Sequence, residues 1–429
     1  MANAIEPIAG DAGVSVDLAH LASLDGISGA VEPARTPAVI PLNVTTIVSM
    51  AACGLALAYW VYLGLMYRSH DWILDSHGRP LVTDFLVFWL AGKAALHGAA
   101  AAAYDPHIHH ALEAATAGRQ FSGQLPWRYS PLFFFIVAPL ALLPYVPAFI
   151  LWVGSAVAGL ALTLSRIAAS RAGVLLACST PAVFINAICG QNGPLTAALI
   201  GGALVWLEEW PVASGVCLAL LTYKPQFGIL FPIVLVAGGY WRVLISAAIA
   251  CAAGHLVSSF VFGFDTLPAF LHFLPITSNA LLVHGANGFN KLQTVYGMVR
   301  WMGFGNAAGW LFQALVILSS AAAVLWLWKR DVPYGLKAAA LASAILLATP
   351  HLFAYDFAVL MVAFAFLYRE RAFDTLEVLA VVAANFCIGA FLFFPTPIGL
   401  VAIVIATGII ARRVWQALAS NAKGVAHAL

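Results

Sequence analysis

Apolar residues in this chain come in long, nearly unbroken runs, and the polar positions gather between them. Stretches such as "LNVTTIVSMAACGLALAYWVYLGLMY" and "VLAVVAANFCIGAFLFF" recur from about Pro41 to Ala411. Each is apolar on every side, with neither the two-residue alternation of a barrel strand nor the one-sided stripe of a soluble helix. Crossing the hydrocarbon core takes about 17–25 such residues as a helix. The pattern predicts an all-α polytopic transmembrane bundle. Its spans are expected near 41–67, 131–143, 147–166, 173–188, 193–208, 212–224, 226–240, 243–262, 308–328, 336–349, 352–368, 375–394 and 397–411. With 130–166 crossing once in net terms, or 294–304 adding a short crossing, the expected number is about 11–14 crossings.

Polar residues then set the domain plan. Residues 1–40 are mildly acidic and rich in Ala, Gly, Ser and Pro, without a basic start and apolar core, so they read as a flexible tail and not a secretory signal. The integral domain is 41–413, followed by a short tail, 414–429. Two long polar connections interrupt it, 68–129 and 263–293. The first carries "TDFLVFWLAGKAALHG" and "HIHHALEAATAGRQF", too short or interrupted to span, which read as helices lying along the membrane surface.

Basic clusters mark cytoplasmic ends: Arg166 with Arg171, Trp241-Arg242, Lys329-Arg330, Arg369 with Arg371, and Arg412-Arg413. Counting every span puts the loop of Asp84 and the loop of His351 on opposite faces. They return to one face if 130–166 crosses once in net terms, or if "TVYGMVRWMGF" near 294–304 is a further short crossing. The expected face is non-cytoplasmic.

Composition removes other classes. Of 429 residues, 62% are hydrophobic and 9% charged, which no soluble domain of this length matches. The net charge of +2 comes from scattered basic residues, so no nucleic-acid partner is indicated. The six cysteines lie within apolar runs with no Cys-x-x-Cys pair, which argues against a disulfide framework or a thiolate metal site. His107, His109 and His110 match no zinc spacing, and no metal is expected.

Polar groups at span ends are expensive and usually functional. They are Asp84; Arg128 and Tyr129 in "PWRYSP"; Gln191 and Asn192 in "CGQNGPL"; Lys224 and Gln226 in "LLTYKPQFG"; Asn287, Asn290, Lys291 and Gln293 in "GANGFNKLQTVYG"; and His351, Tyr355 and Asp356 in "ATPHLFAYDFAVL". Plainer readings stand beside them. Asp84 suits a helix cap, Lys224 could snorkel, and Gln191-Asn192-Gly193 could be a tight turn.

In order along the chain, "TDFLVFWLAGKAAL", "AYDP", "WRYSPLFFFIVAPLALLP", "GQNGPLTAALIGGAL", "LALLTYKPQFGILFPIVLVAGGYWRV", "NGFNKLQTVYG" and "TPHLFAYDF" resemble the polytopic glycosyltransferases of family 87. That family belongs to the membrane superfamily of fold type C and includes polyprenyl-phosphate-mannose-dependent α-mannosyltransferases. The resemblance spans roughly residues 45–370. The run Asn290-Lys291-Leu292-Gln293-Thr294 departs from the tighter Asn-Gln-Ser-like run expected there. The resemblance implies a cell-envelope transferase in the inner (plasma) membrane. It would take a sugar, mannose first, from a polyprenyl-phosphate donor to a lipid or glycan acceptor, needing no cofactor and contacting membrane lipids. The family's catalytic aspartate falls on Asp84, and a histidine near the reaction centre on His351.

Chemistry agrees. Inverting transfer needs a base on the acceptor hydroxyl, opposite the leaving group. A carboxylate beside Phe85, Phe88 and Trp89 is partly desolvated and more basic. A phosphate leaving group needs no acid, only positive charge and donors, for which Arg128, Lys224, Lys291 and His351 are available. No Asp-x-Asp-type site is present, so a metal-independent reaction is expected. Trp127, Tyr129 and Tyr355 are candidates to stack on sugar faces. A secondary transporter or a lipid-linked sugar flippase is the rival class, with Asp356 the residue favouring the transporter.

Overall fold

The computed structural model describes residues 44–123 and 125–428, and the expected N-terminal tail lies outside them. Among the described residues there are eighteen α-helices. The first seven are α1 (Val44–Arg68), α2 (Asp84–Leu96), α3 (Pro106–Ala117), α4 (Phe134–Ala141), α5 (Tyr145–Ala168), α6 (Ala172–Ser179) and α7 (Pro181–Cys189). Then come α8 (Gly193–Val205), α9 (Pro211–Leu221), α10 (Phe231–Ala237), α11 (Trp241–Phe262) and α12 (Thr266–Ser278). The last six are α13 (Val295–Trp301), α14 (Asn306–Trp328), α15 (Tyr334–Ala348), α16 (Ala358–Glu370), α17 (Thr375–Ala390) and α18 (Gly399–Ala428).

The expected crossings divide by length. Among the described residues, six helical segments are long and apolar enough to span: Thr46–Arg68, Tyr145–Ala168, Trp241–Phe262, Thr266–Val283, Asn306–Trp328 and Gly399–Asn421. A seventh forms if α6 and α7, bent by 54° at Thr180, count as one. Six more apolar helices of 10–17 residues, such as Gly193–Val205 and Tyr334–Ala348, are too short to cross alone. The bundle is a membrane protein built from full spans and shorter apolar helices.

Several sequence expectations change. The 294–304 segment holds only the seven-residue α13, about 10 Å long, which cannot cross. Within 130–166 only α5 is full length, and the eleven residues Pro131–Ala141 reach about 16 Å, which agrees with one net crossing. The connection 263–293 is largely helical, because Thr266–Val283 is itself long enough to span. Past residue 413 the chain continues as α18 to Ala428.

The first-loop helices also differ from each other. Helix α3 starts on Asp105, whose carboxylate accepts from the His107 and Ile108 amides, and stops at Gly118. Its Ile108 and Leu112 stay exposed. Helix α2, expected to lie along the surface, is instead packed into the core, with Phe85, Leu86, Val87, Phe88, Leu90, Ala91 and Gly92 all buried. Its sequence has no polar face to give water.

At the centre lies α16, enclosed from Ala358 to Leu367 by α5, α8, α15 and α18. At the edge lies α1, held by the Tyr59–Phe184 ring stack at 4.3 Å and otherwise presenting Leu57, Tyr62 and Leu65 outward. Outward apolar side chains suit a lipid surround.

Candidate active site

Asp84 is the first residue of α2; Thr83 stands at the N-cap position without a side-chain capping bond, and the Asp84 carboxylate makes none either. The capping role is therefore unfilled by this side chain. The aromatic run after it acts as an anchor. Phe85 meets Tyr145 and Phe149 at 5.4 and 5.0 Å, and Phe88 meets Tyr129, Phe133 and Trp152 at 5.3–5.7 Å. These rings pull α2 inward and leave the carboxylate at the rim of the nest. Asp84 stays half-buried. Protein surrounds it closely, and that burial pushes its pKa up, while Gln191, Arg128 and Lys224 pull it back.

Arg128 shares the space. Its backbone is fixed by Trp127, fully buried between Phe88, Phe133 and Phe134, and by the Tyr104 hydroxyl donating to the Tyr129 carbonyl at 2.8 Å. Its guanidinium has no carboxylate within 4.0 Å among the described residues, and Nε bonds to nothing. Burial works against its charge, and Asp84 and two tyrosines, Tyr355 and Tyr129, offset only part of that. A nearly enclosed cation without a partner is costly, and an arriving anion would relieve the cost.

The third element is a buried ion pair. Lys224 Nζ donates to Asp356 Oδ1 at 2.8 Å, and Asp356 Oδ2 accepts from the Phe353 amide at 3.1 Å. The ammonium also lies 5.2 Å from the centre of the Tyr355 ring. Asp356 is thus neutralised, which removes the observation that favoured a transporter. Lys224 in turn is a spent charge, a weaker phosphate donor than the sequence suggested. His351 feels both cations: burial, then the charges of Arg128 and Lys224, hold its pKa well below that of an ordinary histidine. It is a neutral imidazole at pH 7.

Asp84 and His351 both feel Arg128 and Lys224, so their two loops meet at one end of the bundle. The link between them is the break around Gly190. Gly190 has φ +70°, and a Cβ on it would lie 2.5 Å from Phe85. A Cβ on Gly193 would lie 2.1 Å from the Tyr355 carbonyl oxygen. Both positions need glycine. The Trp152 indole donates to the Gly190 carbonyl at 2.9 Å. Gln191 Oε1 accepts from the Tyr129 hydroxyl at 3.3 Å and from the Asn192 amide, which leaves its Nε2 for Asp84. The Asn192 side chain is fully buried, with the Tyr129 hydroxyl its polar neighbour, and neither its oxygen nor its nitrogen makes a well-formed hydrogen bond among the described residues. A buried amide left unmade is a standing cost unless something else fills it.

The structure therefore brings together Asp84, Arg128, Tyr129, Gln191, Asn192, Lys224, His351, Tyr355 and Asp356. The second-loop residues do not join them in chemistry. Gln293 is consumed by backbone, donating to the Lys291 and Thr396 carbonyls and accepting from the Gly399 amide at 2.9 Å. Asn290 donates to the Pro395 carbonyl at 2.9 Å, and Lys291 is exposed. Gln226 lines an apolar cavity instead of the cleft. Trp127 is too deeply buried to stack on a sugar; Tyr355 remains reachable.

Some contributors carry no signal in the sequence. Asn186, within an apolar run, donates to the Tyr355 carbonyl at 2.7 Å and accepts from the Gly193 amide at 2.9 Å, clamping both sides of the cleft. Tyr223 and Thr196 share a 2.5 Å hydrogen bond beneath it. Glu113, on α3, sits 3.6 Å from His109 and 3.5 Å from His110. Burial raises the Glu113 pKa to about 8, with Asp84 adding to the rise, and lowers that of His109 to about 4. At neutral pH the His109 contact is one between neutral groups and not an ion pair.

No curated protein and no solved structure matches the chain. A family model does, glycosyltransferase family 87, over residues 127–350 of the 429. The match takes in Arg128, Gln191, Asn192 and Lys224, and stops one residue short of His351. It covers more than half of the chain, and the protein belongs to this family of membrane glycosyltransferases.

Proposed function

We propose that the protein transfers a sugar, with mannose the first candidate, from a polyprenyl-phosphate carrier to a lipid or glycan acceptor, with inversion. The observation that carries this reading is the nearness of a half-buried carboxylate, Asp84, to Arg128, which has no carboxylate within 4.0 Å among the described residues.

The chemistry builds on that pair. Asp84 takes the proton from the acceptor hydroxyl as its oxygen attacks the anomeric carbon. The bond from that carbon to the phosphate oxygen breaks on the opposite face, and the phosphate leaves with the electron pair. Arg128 meets the growing negative charge, and the neutral imidazole of His351 supplies a hydrogen bond beside it. Lys224 contributes field but stays tied to Asp356. Asn192 and Gln191 offer amides to sugar hydroxyls, and Tyr355 offers a ring face. The cleft opens toward the non-cytoplasmic side of the plasma membrane, the face opposite the arginine-rich span ends.

Purified protein in lipid, given radiolabelled polyprenyl-phosphate-mannose and a total lipid extract as acceptor pool, tests this. Wild type should transfer label, and equally folded Asp84→Asn should lose about 10²–10⁴-fold of that rate. Undiminished transfer by Asp84→Asn would remove Asp84 as the base; no transfer by either protein would favour the lipid-linked sugar flippase or a transporter.

A further inference from the structure

The histidine trio of α3 has no part in the cleft chemistry above, yet its setting is unusual. Glu113 is fully buried and His109 nearly so, at 0% and 2% exposed. His109 Nε2 lies 3.6 Å from Glu113 Oε1, and His110 Nδ1 lies 3.5 Å from Glu113 Oε2. All four atoms are shielded from solvent, and none makes a well-formed hydrogen bond among the described residues. No lysine or arginine there lies within 4.0 Å of the carboxyl. Apolar side chains would seat the helix at less cost, so packing does not account for three titratable groups held together.

The cluster has an inner and an outer end. Inward, α3 packs on α2, which begins at Asp84, and the Asp84 charge is felt at Glu113. The chain after α3 returns past the same carboxyl, where the Leu125 amide bears on it three residues before Arg128. Outward, the His110 side chain is 25% exposed, its ring meeting Phe121 at 4.7 Å, and His107 beyond it is exposed. The titratable groups bearing on Glu113 are thus Asp84, His109 and His110, while Arg79 is spent on the Gly118 carbonyl at 3.0 Å. A line of protonatable groups runs from the base toward water.

We propose that Glu113 and His110 are the exit route for the proton that Asp84 removes from the acceptor: Glu113 relays it and His110 releases it to water. The assignment rests on Asp84 as the base in the reading above. Each transfer breaks one acceptor O–H bond and leaves Asp84 protonated, and the base must be emptied before it acts again. Glu113, held protonated at neutral pH by a pKa of about 8, hands its proton to His110 Nδ1 and takes the one from Asp84 in its place. His110 then loses a proton from its other nitrogen, Nε2, to water. One proton enters from the acceptor, one leaves, and both side chains end uncharged, as they began. His109, whose pKa burial lowers to about 4, stays neutral and is no carrier at pH 7.

Glu113→Gln keeps the shape of the side chain and removes the relay. In lipid, with labelled donor and the total lipid extract, its first turnover should match wild type. The steady-state rate that follows should be lower by about ten-fold or more. His110→Ala should give the same burst. Added imidazole, a small proton carrier, should bring the steady-state rate of both variants back toward wild type. A merely structural role would slow the first turnover as much as the later ones and ignore imidazole. That pattern, or a wild-type steady state in both variants, would overturn the proposal. The two readings fail separately. Transfer lost in Asp84→Asn with no burst in Glu113→Gln removes only the exit, whereas undiminished transfer by Asp84→Asn removes the base and the exit together.

Discussion

Two buried charge systems sit at opposite ends of α16, about 20 Å apart along its thirteen residues. At its N-terminal end are Asp84, Arg128, His351 and the Lys224–Asp356 pair. At its C-terminal end Glu377 takes a two-point grip from Arg413, at 2.9 and 2.6 Å, plus bonds from Arg412 at 2.9 Å and Arg371 at 3.2 Å. Asp374 caps α17 and binds Arg412 at 2.7 Å, and the remaining Arg413 nitrogen donates to the Leu367 and Arg371 carbonyls. In that knot the charges and their donors answer one another. In the cleft, among the described residues, Arg128 has no carboxylate within 4.0 Å and the Asn192 side chain makes no well-formed hydrogen bond. A satisfied buried network holds helices together; an unsatisfied one keeps room for something that is not protein.

Substitutions can break that contrast. The largest effect is expected from Arg128→Gln, about 10²–10³-fold off the transfer rate with thermal stability unchanged or raised, checked by label transfer beside a melting curve. A matching loss of stability would make Arg128 a structural cation like those of the knot. Glu377→Gln should do the reverse, costing about 3–5 kcal/mol in reversible unfolding while transfer per folded molecule holds. The Lys224–Asp356 pair belongs between the two. Lys224→Met alone strands a buried carboxylate, and adding Asp356→Leu should recover about 1–3 kcal/mol, read from a double-mutant cycle of unfolding free energies.

Two pH measurements sharpen the contrast further. Because burial raises the Asp84 pKa and the base must be ionised, kcat/KM should fall as pH drops through a value above the ordinary 3.8 of aspartate. A limb at or below 3.8 would mean an exposed carboxylate. The smallest effect concerns Glu113. Unfolded chains release its proton near 4.5, and the folded protein holds it to about 8. The folded state thus binds more protons in that window, and stability declines as pH rises from 4.5 through 8. Glu113→Gln, which cannot ionise, should raise the melting temperature at pH 8.5 and leave it unchanged at pH 4.5.

The spans are legible in sequence because a bilayer imposes length and apolarity on contiguous residues, and α5, α11, α14 and α18 match the runs that predict them. Helix α2 escapes the same logic: "FLVFWLAG" is apolar enough for a membrane surface or a core, and only its neighbours decide. In the cleft, individual polar residues are visible wherever an apolar run makes them conspicuous. Their pairing is not. Nothing local in "TYKPQ" says that Lys224 will meet Asp356, and nothing in "VFINAIC" marks Asn186 as a clamp. Gln293 and Asn290 look as functional as Gln191 in sequence, yet their amides close a turn at 395–399.

The Lys224–Asp356 contact spans 132 residues of chain, and that separation has a consequence for synthesis. A ribosome adding roughly 5–20 residues per second needs about 7 to 26 seconds to deliver the aspartate after the lysine. Through that interval α9 and α10 are already made, and their shared ammonium waits for the carboxylate it binds directly, with Asp84 the acidic neighbour made before it. The N-terminal half must either hold Lys224 at the water boundary or lean on insertion machinery until Asp356 emerges. The last third of the chain is thus the part that lets the middle settle.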